Sequence, residues 1–207
     1  MLNTRGIEMK FNHTQESGRS MVEMLGVLAI IGVLSVGGIA GYSQAMAKFK
    51  VTKAMDQVQT IITNMRTLYA SSRMYSKITA AQANSVGLLT TETFQGGEAT
   101  TGINPFGGEI IFDIGNTITG QANKSRTFTI QYNKLTPEAC VKIATADWGA
   151  DESSGLVSIR VGNVTNTGTT HKWKSSGETT NLLPIDTASA ISECGSQSTA
   201  SVTWEYR

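Results

Sequence analysis

The stretch GRSMVEMLGVLAIIGVLSVGGIA, residues 18–40, decides how this chain is built. Its part from Met24 to Ala40 carries no charge and is at the lower end of the length that can span a bilayer as a helix. The apolar run is therefore long enough to anchor the chain in a membrane.

The residues before this run do not form a secretory signal peptide of the usual kind. Residues 1–18 are polar, carry Arg5 and Lys10, and contain no apolar core of their own. The apolar stretch follows them instead, so a polar, charged segment precedes the anchor.

Glu23 stands at the edge of the apolar run, between Val22 and Met24. A carboxylate that loses its hydration in an apolar environment carries a large free-energy cost unless a partner offsets it. Two interpretations follow: Glu23 lies at the headgroup level of the cytoplasmic surface, or it meets a specific partner in an assembly.

A helical pattern continues beyond the apolar run. Apolar residues recur at three- to four-residue spacing, which is typical of an amphipathic helix. These residues are Val51, Met55, Val58, Ile62, Met65 and Tyr69. Since no proline occurs between Arg19 and Tyr75, we predict a single helix over 19–75, about 80 Å long. Its first half is apolar all round and its second half is amphipathic.

Three glycines leave an alternative to that single helix. Gly37 and Gly41 form a small-xxx-small pair that permits close helix packing. Together with Gly38, they also lower helix propensity by about 1 kcal/mol each. Helix packing and local melting are both open, as is a break here that would separate an anchor from a later helix.

The composition offers no general partner and no catalytic motif. A net charge of +1 gives no bulk attraction to nucleic acid or to anionic lipid, so any partner must be read from local features. His171 and Cys140 can be drawn as a nucleophile pair, but no nucleophile motif surrounds either residue. We predict no catalytic residue, no metal and no cofactor, and we expect that the chain is not an enzyme.

The two cysteines are Cys140 and Cys194, and neither belongs to a C-x-x-C pattern. In an exported protein such a pair indicates a disulfide, whereas in a cytosolic protein it indicates two unrelated buried thiols. Lysines and arginines flank both ends of the apolar run, so charge alone does not orient the chain. A disulfide would place the C-terminal part outside the cytoplasm.

Residues 76–207 read as a globular head with an antiparallel sheet, which makes the fold class α+β. The predicted strands are rich in β-branched and aromatic residues and lie between turn-forming stretches; they are Glu109–Ile114, Thr127–Tyr132, Leu156–Val161 and Ala200–Tyr206. Helices are predicted within 77–90, over Pro137–Trp148 with Thr136 as N-cap, and over 185–193 with Asp186 or Thr187 as cap. We expect the sheet to lie on the amphipathic end of the long helix.

The stretch 162–180 contains His171, Lys172, Trp173 and Lys174. A basic, aromatic cluster can stack on DNA bases or sugars. The simpler interpretation, which we favour, is a solvated loop whose tryptophan packs locally.

Gly18 followed by RSMVEMLGVLAIIGVLS resembles the leader cleavage region of type IV pilins. Downstream, NPFGG at 104–108 and LTPEACVKIA at 135–144 resemble the type IVb branch of that family. The proline that type IVa members usually carry near the position of Ala40 is missing, which agrees with the IVb branch or with another divergent branch.

The resemblance implies that a prepilin peptidase removes residues 1–18 and leaves Arg19 as the first mature residue, where the family more often has a methylated Phe or Met. It also implies N-methylation of Arg19 and a salt bridge from Glu23 to the N-terminal amine of a neighbouring subunit. The pair Cys140 and Cys194 would be the counterpart of a family disulfide in the head.

The expected function is a structural subunit of a surface filament for adhesion, aggregation or motility. Its expected partners are other copies of itself in a helical homopolymer, the inner membrane, the peptidase and the assembly machinery. Host or other cell surfaces are further candidates, and nucleic acid is the weakest. A minor pilin, a type II secretion pseudopilin and a single-pass anchored binding protein are the competing interpretations.

Overall fold

The computed structural model describes residues 17–72, 74–90, 93, 102–115, 117–118, 121–163, 168–174, 179–195 and 199–207. Within them, the side chains of 17–20, 117–118 and 121–124 are not described. The predicted leader, apart from its last two residues, lies outside these ranges. The chain divides into two compact units, Met1–Met46 and Ala47–Arg207.

Helix α1 spans Ser17–Leu68 and is unbroken. The prediction of one helix of more than fifty residues is confirmed, because α1 contains 52 residues. It begins before Arg19 and ends before the predicted limit at Tyr75. The early end has a tertiary cause: Tyr75 lies in a short strand paired with Ser125, and its ring packs 4.6 Å from that of Phe128.

The remaining elements belong to the second unit. In chain order, the strands are β1 Tyr75–Ser76, β2 Gly102–Ile103, β3 Glu109–Ile114, β4 Thr117–Ile118, β5 Gln121–Ser125, β6 Phe128–Leu135, β7 Leu156–Gly162, β8 Gly168–Lys172 and β9 Ala200–Tyr206. The helices are α2 Ala80–Ser85, α3 Pro137–Ala144 and α4 Thr187–Gly195, with a 3₁₀ turn at Glu152–Ser154.

The main sheet has six strands in the order β2-β3-β6-β9-β7-β8, and every pairing in it is antiparallel. A second sheet has the order β1-β5-β4. Strands β3 and β9 occupy the predicted ranges, while β6 runs three residues further than Tyr132 to Leu135.

The main sheet packs its apolar face against the second half of α1. Along α1 the buried residues recur at helical spacing, as the amphipathic pattern predicts; they are Val51, Ala54, Val58, Ile61, Ile62 and Met65. Tyr132 and Trp204 face them from β6 and β9, and the hydroxyl of Tyr132 donates to Gln57 at 3.3 Å. The predicted α+β fold, with an antiparallel sheet on the long helix, is confirmed.

The helix predicted over Pro137–Trp148 ends at Ala144. Its N-cap is Thr136, as expected, because the Thr136 hydroxyl accepts from the amide of Ala139 at 3.3 Å. Beyond Ala144 the chain turns, and Trp148 is held by its indole N–H, which donates to the carbonyl of Ile143 at 2.7 Å.

Candidate functional site

The apolar half of α1 presents its side chains to the surroundings rather than to a core. Every large apolar residue described from Met21 to Tyr42 is between 53% and 75% exposed. The most apolar window of α1 has a mean hydropathy of 2.2 and no buried residue. Fully burying one such side chain stabilises a protein by about 1.5–3 kcal/mol. This segment therefore favours transfer to a lipid or protein environment strongly.

Glu23 lies within this exposed apolar segment, and its side chain is also exposed. It is the only acidic residue in the sequence between Gly18 and Asp56. Gly18 and Arg19 lie in the first turn of α1, and the side chain of Arg19 is outside the described part. The sequence and the helix thus place one carboxylate at the start of a long apolar surface.

The glycines at 37, 38 and 41 are helical, so no break occurs there in the single chain. A Cβ added at any of the three would meet nothing within 4 Å. Close packing within this chain therefore does not explain why these positions lack a side chain.

Cys140 and Cys194 form a disulfide with a Cα–Cα distance of 5.8 Å. The bond joins α3 to α4 across a sequence separation of 54 residues, and both cysteines are fully buried. The alternative of two unrelated thiols is wrong. A nucleophile pair of Cys140 with His171 is also wrong, because the sulfur of Cys140 is bonded to that of Cys194.

Between Cys140 and Cys194, the residue that differs most from the sequence prediction is His171. It lies in β8, is 1% exposed, and its Nε2 is 2.9 Å from the Glu193 carboxylate. Trp173 follows and donates its indole N–H to the carbonyl of Leu156 at 2.8 Å. The predicted solvated loop is therefore partly a strand, and its histidine is too buried to stack on a base or sugar.

Arg66 joins the amphipathic half of α1 to the C-terminal end of the sheet. Its Nη2 donates to the carbonyl of Ser154 at 2.8 Å, and its guanidinium carbon lies 5.2 Å from the ring centre of Tyr206. Burial raises the pKa of Tyr206 to about 12. Nothing next to Arg66 in the sequence signals this contact, because Ser154 is 88 residues away along the chain.

Among the described residues, no group of three or more histidine, cysteine, aspartate or glutamate side chains could hold a metal ion. The candidate functional site is the exposed surface formed by the apolar half of α1 with Glu23.

The chain is similar to a structural subunit of a bacterial pilus. The major structural subunit of bundle-forming pilus from Escherichia coli O127:H6 (strain E2348/69 / EPEC) is 26% identical over 186 residues, covering 86% of this chain and 89% of that protein.

Two solved structures are also similar. A type IV b pilin from Salmonella typhi has a TM-score of 0.49 and 23% identity, covering 74% of this chain and 97% of that one. TcpA, a type IV pilin from Vibrio cholerae El Tor biotype, has a TM-score of 0.49 and 18% identity, covering 76% and 99% respectively.

The sequence model of the family named bundlin matches residues 44–207, which is well over half of the chain. This match includes the whole described head and the amphipathic half of α1. The resemblance to pilins read from the sequence is confirmed, and the chain belongs to the bundlin family.

Proposed function

We propose that this chain is a structural subunit of a type IV pilus that polymerises through the apolar half of α1. The observation that carries the proposal is the exposure of the large apolar side chains described from Met21 to Tyr42. The relative in Escherichia coli, named as a major structural subunit of a pilus, supports the same function. The role is structural, not catalytic.

The proposed precursor has three parts. Residues 1–18 are a leader, 19–75 carry the helix with its apolar run at 24–40, and 76–207 form the head. Cleavage after Gly18 creates a new amine at Arg19, which the resemblance suggests is N-methylated.

Glu23 is the proposed assembly contact, and its partner is the amine of Arg19 in a neighbouring subunit. Two opposite charges inside an apolar filament core offset each other's desolvation, whereas removal of one leaves the other buried at a large cost. Because the amine exists only after cleavage, this pairing makes assembly depend on processing. It also fixes the axial position of one subunit against the next.

Gly37, Gly38 and Gly41 are proposed to act in the assembled state. Open space around their Cα atoms in the single chain leaves room for a neighbouring helix. If helices instead spread apart at this level, the same glycines lower the cost of melting the segment.

The proposed location is the inner membrane before assembly and the extracellular filament afterwards. The partners at these stages are the membrane, the prepilin peptidase, the assembly machinery and other copies of the chain. Host or other cell surfaces are candidate partners of the finished filament for adhesion or aggregation. Nucleic acid keeps little support, since His171 is buried against Glu193.

The first test is the mature N-terminus. Surface filaments are sheared from cells, purified and analysed by mass spectrometry. A chain starting at Arg19 in an abundant fibre is the expected result. A chain that stays in membranes with residue 1 intact would refute processing and would favour an anchored binding protein.

The second test is Glu23→Gln, which keeps the shape of the side chain and removes its charge. We expect a protein that is processed and membrane-inserted but yields few or no filaments. Glu138→Gln is the matched control, because Glu138 is a solvent-exposed helical glutamate in the head whose side chain is 70% exposed. Normal filament yield from Glu23→Gln would contradict the proposed contact.

A further inference from the structure

The sequence Lys48-Phe49-Lys50 forms a surface on α1 that the head does not use. All three residues are exposed, and Phe49 is 58% exposed although it is large and apolar. None of the ion pairs between described residues involves Lys48 or Lys50. We call these three residues the KFK surface.

The KFK surface points away from the head. Phe49 and Val58 are nine residues apart, which places them on opposite sides of an α-helix at 3.6 residues per turn. Val58 is fully buried against the head. Lys48 and Lys50 lie about 100° to either side of Phe49, so the three side chains cover the outer part of the helix.

The charge of this region has one sign. Between Glu23 and Asp56 the charged residues of the sequence are all lysines. A neighbouring copy of this segment would bring the same positive charges, whereas a phosphate-bearing surface is complementary to them. An aromatic ring between two lysines is also suited to a membrane interface, where apolar and polar groups lie side by side.

The distance along the chain fits the headgroup layer. Counted from Met24, the first residue of the uncharged run, the twenty residues that cross the hydrocarbon core end at Ser43. Lys48 lies five residues further, a helical rise of about 7.5 Å. Helical side chains lean towards the N-terminus, and long lysine side chains can extend their ammonium groups along that direction. The ammonium groups therefore come within reach of lipid phosphates, which lie within about 5–8 Å of the hydrocarbon edge.

We propose that the KFK surface binds the headgroups of anionic phospholipids in the outer leaflet while the subunit is in the membrane. This inference rests on the membrane stage of the proposed function. It gives the unassembled subunit a preference for negatively charged lipid that the net charge of the chain does not provide. Release from these lipids is then one of the steps that precede polymerisation.

The test uses the full chain in nanodiscs that contain phosphatidylcholine and a minority of phosphatidylglycerol. Native mass spectrometry of the protein ejected from the discs measures the ratio of the two lipids that remain bound. We expect phosphatidylglycerol to be enriched, and we expect Lys48→Gln with Lys50→Gln to lower that enrichment by up to about fivefold for each lysine removed. Lys48→Arg with Lys50→Arg should retain it.

The matched control is Lys172→Gln with Lys174→Gln. These exposed lysines flank Trp173 in the head and repeat the Lys-aromatic-Lys sequence much later in the chain than the apolar run. The control should leave lipid enrichment unchanged. Equal enrichment in the wild type and in the Lys48, Lys50 variant would overturn the inference, as would loss of filaments by that variant without any change in bound lipid.

Failure of the proposed function is visible separately in the same preparation. Resistance of the wild-type chain to alkaline extraction reports membrane insertion, whatever lipid it prefers. A wild-type chain that is extracted by alkali would refute the membrane stage itself, while an inserted chain with no lipid preference would refute only the role of the KFK surface.

Discussion

Breaking the Cys140–Cys194 bond should destabilise the head by a predictable amount. The bond closes a loop with a sequence separation of 54 residues. On the chain-entropy relation, a loop of this length restricts the unfolded chain enough to stabilise the folded state by about 4 kcal/mol. For a domain of this size, each kcal/mol moves the melting temperature by about 2–4 °C, so reduction should lower it by about 8–16 °C.

The assay is thermal unfolding followed by near-ultraviolet circular dichroism, on the full chain in detergent, with and without reductant. This signal reports the head because Trp148 and Trp204 are buried there with ring centres 4.9 Å apart. Cys140→Ala with Cys194→Ala is the control, because its melting temperature should be low and indifferent to reductant. If oxidised and reduced wild-type chains melt at the same temperature, the loop-closure reasoning is refuted.

Two further changes test single contacts in the head. Arg66→Met should destabilise the head by about 1.5–3 kcal/mol, since it removes the charged donor to the carbonyl of Ser154 and the cation over Tyr206. Denaturant unfolding measures this loss, and an unchanged unfolding midpoint would contradict the prediction. Asp186 caps α4, and hydrogen bonds from the hydroxyl and amide of Ser189 hold its pKa below the ordinary value of 3.8. Its contribution is therefore present above pH 3.8 and is lost as the pH falls below it, so Asp186→Asn should reduce the drop in melting temperature on acidification.

Elements that rest on local pattern could be predicted from the sequence. Glu109–Ile114 and Ala200–Tyr206 combine β-branched and aromatic residues between turn-forming stretches, and both occur as predicted. The start of α3 was also predictable, because Thr136 followed by proline is a local capping signal.

Elements that rest on distant partners could not be predicted. Gly168–Lys172 has the composition of a polar loop, and it becomes a strand because each of its residues pairs with β7. His171 is buried by a carboxylate 22 residues further along the chain, and nothing adjacent to it in the sequence signals that contact. The short strand at Tyr75 likewise depends on pairing with Ser125, which overrides the helical pattern before it.

The candidate site shows the same division. The apolar run and the position of Glu23 could be predicted from the sequence, because hydropathy and spacing are properties of one short segment. The partner of Glu23 in the filament could not be predicted from the residues alone. The proposed partner is an amine that belongs to another copy of the chain and exists only after cleavage. A single chain therefore contains half of each contact that it is proposed to make.

Substitutions in the two units of the chain should therefore be detected by different measurements. The head contains its own stabilising contacts, including a buried core, a disulfide and the Arg66 contact, so substitutions there should appear as changes in unfolding. The described part of the apolar segment up to Tyr42 is exposed, so substitutions there remove no side chain from the buried core of the head. A variant such as Glu23→Gln should therefore leave the melting temperature of the head unchanged while it alters filament yield. A drop in both would mean that Glu23 supports the fold of the subunit, and the assembly role proposed for it would have to be abandoned.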